Sequence, residues 1–298
     1  NETGRAAGRQ LAALASIITG IVLSVSAGDS LLVEDRIFGS FQHATRIAFD
    51  IRGRCFVVDR GSNSLVVFSP QLDIAANLGG FGWDLAAFDG PTGIASDGLS
   101  IFVADHGNHR VIRYDQSIAA ISTLMTRDSS YAPASFGFPL GVALSRQGEL
   151  YILDGENTRV VKFDSRLRFE RSFGGIESGA GRLQQPTDIL TGARGQVMVL
   201  EAGRIVEFDY AGNYVQTIGK SKLKKARGFS EAGTGVVVAD SAGLWFFDER
   251  GTSSTSIPYP LMVTDAGEEL NDVAVRDDRI FILTTKRVHV FRFTDVTR

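Results

Sequence analysis

The chain has a single cysteine among its 298 residues, Cys55, so no intramolecular disulfide can form. That thiol opens the apolar run Cys55-Phe56-Val57-Val58-Asp59, and no activating base can be assigned to it; it reads as a buried, inert group and not a nucleophile. Histidine is scarce, with four residues, and no Ser-His-Asp or Cys-His arrangement can be argued from spacing. An excess of charge of either sign is small. A formal net charge of −3 excludes a nucleic-acid surface over the whole protein and leaves room for a local basic patch. The one basic run is Lys220-Ser221-Lys222-Leu223-Lys224-Lys225-Ala226-Arg227. It reads as a solvated connection, with a phosphate or acidic-partner site as the alternative.

What the chain does have is a phrase that recurs every 40 to 48 residues. Pro91-Thr92-Gly93-Ile94-Ala95 leads to Ile101-Phe102-Val103-Ala104-Asp105 and then to His106-Gly107-Asn108-His109-Arg110-Val111. Pro139-Leu140-Gly141-Val142-Ala143 leads to Leu150-Tyr151-Ile152-Leu153-Asp154 and Gly155-Glu156-Asn157-Thr158-Arg159-Val160. Pro186-Thr187-Asp188-Ile189-Leu190 leads to Val197-Met198-Val199-Leu200-Glu201 and Ala202-Gly203-Arg204-Ile205-Val206. Weaker copies start at Ala44, Ala226 and Leu270. A fixed period of this length marks one supersecondary unit, each copy burying its neighbour's face. The apolar runs are about five residues long, rich in Val, Ile, Phe and Tyr, and punctuated by Gly, Asp, Asn and Ser, as strands are. Four antiparallel strands per unit, a to d, describe a propeller blade, and six copies fill the chain. The reading is all-β: a six-bladed β-propeller of four-stranded antiparallel blades. The two tryptophans do not follow the Gly-His of a WD40 repeat.

The hairpins Asp105-His106-Gly107-Asn108-His109-Arg110-Val111 and Asp154-Gly155-Glu156-Asn157-Thr158-Arg159-Val160, each preceded by Pro-x-Gly-[Ile/Val]-Ala, resemble those of the NHL family of β-propellers. The resemblance runs from about Leu31 to the C-terminus. The first copy departs from it at Ser62 and Ser64, the fourth has a shorter turn, the fifth lacks the Arg, and the sixth keeps Arg287.

Near the N-terminus, Arg5 and Arg9 precede the uncharged run Leu11 to Val25, and Val25-Ser26-Ala27 supplies small residues at a cleavage position. Residues 1–27 therefore read as a signal peptide, with an uncleaved anchor over residues 11–28 as the alternative. Residues 28–298 then form a single propeller domain outside the cytoplasm, periplasmic or extracellular. The last copy supplies strands b and c at Ile280 to Leu283 and Val288 to Phe293 but no fourth strand. Leu31 to Phe38 resembles the d phrase Phe169-Glu170-Arg171-Ser172-Phe173 and is expected to complete blade six, so that the ring has no open edge.

Blade topology places the d-to-a and b-to-c connections on one face, with His43, His106, His109 and Glu156 among the polar residues there. The recurrent Asp and Arg of the hairpins read as structural, the Asp accepting backbone N–H bonds and the Arg pairing with it or with the next blade. Residues that break the pattern are better functional candidates. One position on strand a is Gly93, Gly141 and Gly228 in three blades but Arg46, Asp188 and Asp272 in the others. Since strand a lines the central tunnel, these charges, with Thr92 and Arg227, are candidates to ring its mouth. Asp188 and Asp272 opposite Arg46 make either a ligand site or mutual salt bridges.

Six-bladed relatives include a zinc-dependent amidating lyase and calcium-dependent lactonases. Zinc needs three good protein ligands. His43, His106 and His109 could supply them only off-axis, whereas His289 lies in a c strand. Calcium held by Asp188, Asp272 and carbonyls stays open. Two functions are carried forward. One is an exported, non-catalytic binding scaffold for a protein, peptide or glycan, with no cofactor and no nucleic-acid partner. The other is a metal-dependent hydrolase or lyase at the tunnel mouth. Membrane contact is expected only through residues 11–28, if uncleaved.

Overall fold

The computed structural model describes residues 32–252, 254–258 and 268–293. The expectations for residues 1–27 lie outside these. Twenty-four strands, β1 to β24 in chain order, form six four-stranded antiparallel sheets arranged as the blades of a propeller. Blade one is β2 (Ala44–Phe49), β3 (Cys55–Asp59), β4 (Ser64–Phe68) and β5 (Ile74–Gly79). Blades two, three, four and five follow in sequence. Their innermost strands are β6 (Pro91–Ser96), β10 (Gly141–Leu144), β14 (Pro186–Thr191) and β18 (Ala226–Ala232). Blade six contains β22 (Leu270–Arg276), β23 (Arg279–Thr284) and β24 (Val288–Phe293).

The ring closes as the sequence requires. β1 (Leu32–Phe38) pairs antiparallel with β24, from Leu32 opposite Phe293 to Phe38 opposite Val288, with a bulge between Glu34 and Arg36. It supplies the fourth strand of blade six. Phe38 then packs edge-to-face on Phe68 of blade one, with ring centroids 4.9 Å apart, which fastens the last blade to the first. Phe38 meets the hairpin end of β24, and Leu32 the opposite end.

No blade has a core of its own. Six apolar clusters exist, each lying between two adjacent blades; Val57 and Phe68 of blade one, for example, share a cluster with Phe281 and Val290 of blade six. This is why the b strands are apolar on both faces: Cys55–Asp59, Ile101–Asp105 and Leu150–Asp154 are wholly buried. The outer strand Ile74–Gly79 touches solvent at every position but two that are half-buried. On the inner strands, Gly93 is fixed by close approach. A Cβ there would lie 2.7 Å from Gly141 Cα.

Candidate functional site

The three pattern-breaking charges meet at the tunnel throat. Arg46 extends from blade one to blade four, halfway round the ring, and donates from Nη2 to the Thr187 carbonyl at 2.7 Å. Its Nε lies 3.1 Å from Asp188 Oδ1, an ion-pair contact without hydrogen-bond alignment. Nη1 is held by the Thr45 carbonyl at 2.7 Å. Asp272, from blade six, accepts from the N–H groups of Ile47 and Val273, each at 2.9 Å. Gly228 permits this, because a Cβ there would fall 2.1 Å from Asp272 Oδ1. Two carboxyl groups thus lie in the field of one buried guanidinium, which makes its ion-pair contact with Asp188. Burial, opposed by Arg46 and reinforced by Asp188, pushes the Asp272 carboxyl up to about 8. Burial also raises Asp188 against the pull of Arg46.

This layer ends a tunnel of about 370 Å³ lined by the a strands from Arg46, Asp188 and Asp272 down to Phe49, Thr191 and Val275. The residues before the charged layer do not line it. The cavity therefore runs from the plug toward the a-to-b turns. Thr92 and Arg227 are not brought to the throat. Thr92 Oγ1 donates to the Pro139 carbonyl at 2.8 Å, and Arg227 Nη1 contacts Glu269 Oε2 at 2.5 Å and Asn271 Oδ1 at 2.7 Å. Each braces one blade against the next.

The recurrent acid of each hairpin caps the incoming chain. Asp59 accepts from the N–H groups of Gln42 and His43, Asp105 from Asp89, Asp154 from Gly137, and Asp240 from Lys224 and Lys225. The Arg pairs with this acid: Arg110 with Asp105 at 2.8 Å, Arg159 with Asp154 at 3.2 Å, Arg204 with Glu201 at 2.5 Å. It also does something the sequence did not disclose, which is to clamp the preceding d-to-a loop. Arg110 donates to the carbonyls of Trp83, Asp84 and Ala87, Arg159 to those of Ala132 and Ser135, and Arg204 to that of Arg182. Asn108 adds a bond to the Gly82 carbonyl.

These clamped loops form a raised rim over blades two to four. The first presents Phe81 at 78% exposure, Trp83 at 57% and Leu85 at 50%; the next two present Tyr131 and Ile176. Arg110 also lies against the Trp83 ring, 5.4 Å from its centroid. Large apolar side chains held out to water by a buried arginine make this rim a candidate binding surface. The signal in the sequence was Gly79-Gly80-Phe81-Gly82-Trp83-Asp84-Leu85, apolar residues set between glycines in a loop longer than the repeat needs.

The polar candidates lie on this same face. His109 and Glu156 come together through Arg127, whose Nη2 is 2.8 Å from Glu156 Oε1 and whose Nη1 is 3.0 Å from His109 Nε2. His109 Nδ1 accepts the Phe138 N–H at 3.1 Å, and burial, then Arg127, lowers the pKa of the imidazole. His106 lies near the Pro139 carbonyl, with the two rings of His106 and Phe138 5.3 Å apart. Burial lowers its pKa first of all. His43 is exposed and joins neither. Among the described residues, no three or more His, Cys, Asp or Glu side chains are grouped to hold a metal. His289 is buried in β24 with Nδ1 2.8 Å from Glu34 Oε1. Cys55 is buried as well, which raises its thiol pKa.

The NHL repeat profile matches residues 88–114 and 136–163, the hairpins and inner strands of blades two and three. The chain is a six-bladed β-propeller that carries NHL repeats in blades two and three. Solved structures share its fold. A catalytically inactive histidine-to-alanine form of virginiamycin B lyase from Staphylococcus aureus, with quinupristin, aligns at TM-score 0.61 and 10% identity over 84% of this chain and 80% of that one. The selenomethionine form of the same lyase aligns at 0.61 and 10% over 88% and 99%. A streptogramin B lyase aligns at 0.59 and 11% over 84% and 79%. At such identities the likeness is one of fold. No curated protein matches the sequence. Of the clamping arginines, Arg110 and Arg159 fall within the matched repeats and Arg204 outside them, whereas the throat charges depart from the repeat.

Proposed function

We propose that this NHL propeller is an exported, non-catalytic binding scaffold that takes a protein, peptide or glycan partner on its loop face. One observation carries the reading: Arg110, itself buried, spends its hydrogen bonds holding a loop whose Phe81, Trp83 and Leu85 point to water. A fold does not need such a loop; a rigid docking edge does, because preorganisation removes the ordering cost of binding. The tunnel throat supports the same division of labour, since its charges satisfy one another and backbone N–H groups. No nucleic acid and no cofactor enters this reading, and membrane contact is confined to residues 11–28 if they are retained.

The test is crosslinking capture from the producing cells with the native protein and with the triple variant F81A/W83A/L85A. A partner captured by both alike would refute the rim as the docking edge. Export is tested by N-terminal sequencing of the recovered protein: a start near Gly28 fits cleavage, and retention of Asn1 in a membrane fraction fits the anchor. The fold likeness to lyases and the tunnel beside two buried carboxylates favour a second reading, a metal-dependent hydrolase or lyase. Elemental analysis separates the two, because stoichiometric, tightly held Ca²⁺ or Zn²⁺ would move the assignment to the enzyme.

A further inference from the structure

The loop face is electrically divided. Arg60, Arg182, Lys220, Lys222, Lys224 and Lys286 are exposed on it, and none has a carboxylate partner among the described residues. Lys222 and Lys286 reach only neutral oxygens, those of Ser254 and Gln42. These cations follow an arc over blades four, five, six and one. The apolar rim lies over blades two, three and four. The chain as a whole carries −3, so the arc, in which exposed Glu269 is held by Lys225 and Arg227, is a positive region on an acidic protein.

We infer that the partner on this face is a protein segment in which apolar anchors are followed by a run of acidic residues, its apolar end on Phe81, Trp83 and Leu85 and its acidic end along the lysine arc. This rests on the docking reading above. Charge complementarity selects the acidic end, because uncompensated cations beside a docking edge attract carboxylates and repel like charge. Residues of the rim itself argue against an anionic lipid surface. Asp84 stands between Trp83 and Leu85, and Asp128 and Glu177 are exposed on the next two loops, so the apolar tips carry the charge that such a surface repels. Membrane-docking surfaces interleave basic and apolar residues, whereas here Arg182 shares a rim loop with Ile176 and the other five cations lie off the rim loops.

The experiment uses fluorescence anisotropy with three labelled peptides: one with Leu and Trp at one end and a Glu run at the other, one with Gln replacing each Glu, and one with the Glu run alone. The first should bind most tightly and weaken with added salt, and the Gln peptide should bind about tenfold more weakly. The variant K220Q/K222Q/K224Q should weaken the first peptide by about tenfold and leave the Gln peptide unchanged, while F81A/W83A/L85A should weaken both. Equal binding of the Glu and Gln peptides would overturn the acidic partner and leave the docking reading standing. No rim-dependent binding of any peptide would overturn both. Rim-dependent sedimentation with phosphatidylserine vesicles, or dimerisation lost in W83A, would replace the acidic segment by a lipid surface or a second copy.

Discussion

Replacing Arg46 by Met removes the buried cation that pairs with Asp188 and acts through its field on Asp272. Met keeps much of the side-chain length, so the loss is mainly of charge and of the bonds to the Thr45 and Thr187 carbonyls. The side chains of Arg46 and Asp188 are 12% and 11% exposed, so solvent screens the pair little. Removing one partner of a buried pair costs about 3–5 kcal/mol, and a protein of this size loses roughly 2–3 °C of Tm per kcal/mol. A fall of roughly 6–15 °C at about pH 8 is expected by calorimetry. The pH dependence has a definite sign. The Asp272 carboxyl stands at about 8 in the folded protein against 3.8 ordinarily, so between these values the native state keeps a proton that the unfolded chain has released. Stability is therefore favoured at low pH and declines as pH rises through that window. In R46M both carboxyls can protonate at about pH 5, so the penalty shrinks there and grows toward about pH 8. An R46M protein that melts within a degree of the native one at about pH 8 would refute the throat as a mutual salt bridge. So would a penalty larger at about pH 5 than at about pH 8.

Three other outcomes follow from the same coordinates. R110M should free the loop at 80–88, with faster amide exchange there and a loss of about 3–5 kcal/mol, because Asp105 keeps a buried charge; unchanged exchange would count against the clamp. Deleting the chain up to Gly39 should expose the edge of β24 and give aggregation or a broadened melt, and a sharp native-like transition would show that β1 does not close the ring. Cys55 should resist thiol reagents in the folded state and react fully in denaturant, since burial raises its pKa; rapid labelling of the native protein would show an opening that the core does not contain.

Much of the fold was legible because a propeller repeats its instructions. The strands at Ile101–Asp105, Leu150–Asp154 and Phe169–Phe173 fall where the phrase puts them, and the orphan Leu31 to Phe38 pairs with β24 from Leu32 on. The apolar run that begins at Ile118 starts in a turn, with φ of 68° at Ile118, and its strand spans Ala120–Leu124. An apolar run reports burial, not the place where the hairpin bends. At the throat, Arg46, Asp188 and Asp272 stood out because they interrupt a glycine pattern, and they do converge. Thr92 and Arg227 lie one residue before that layer, and the strand's alternation of sides aims them at neighbouring blades. The rim was missed because a periodic reading weighs what recurs, and the loop bearing Phe81 and Trp83 occurs in one blade.

β1 enters the ring opposite the end of β24, so Leu32 and Phe293 sit side by side at the rim away from the hairpins. Among the described residues the ring therefore has a back, where both Leu32 and Phe293 lie, and a front that carries the hairpins. A propeller immobilised through those ends would offer the aromatic loops and the lysine arc outward, whereas coupling through Lys220 or Lys224 would hide them. Attachment chemistry, with no change of sequence, is thus a way to switch the docking surface on or off.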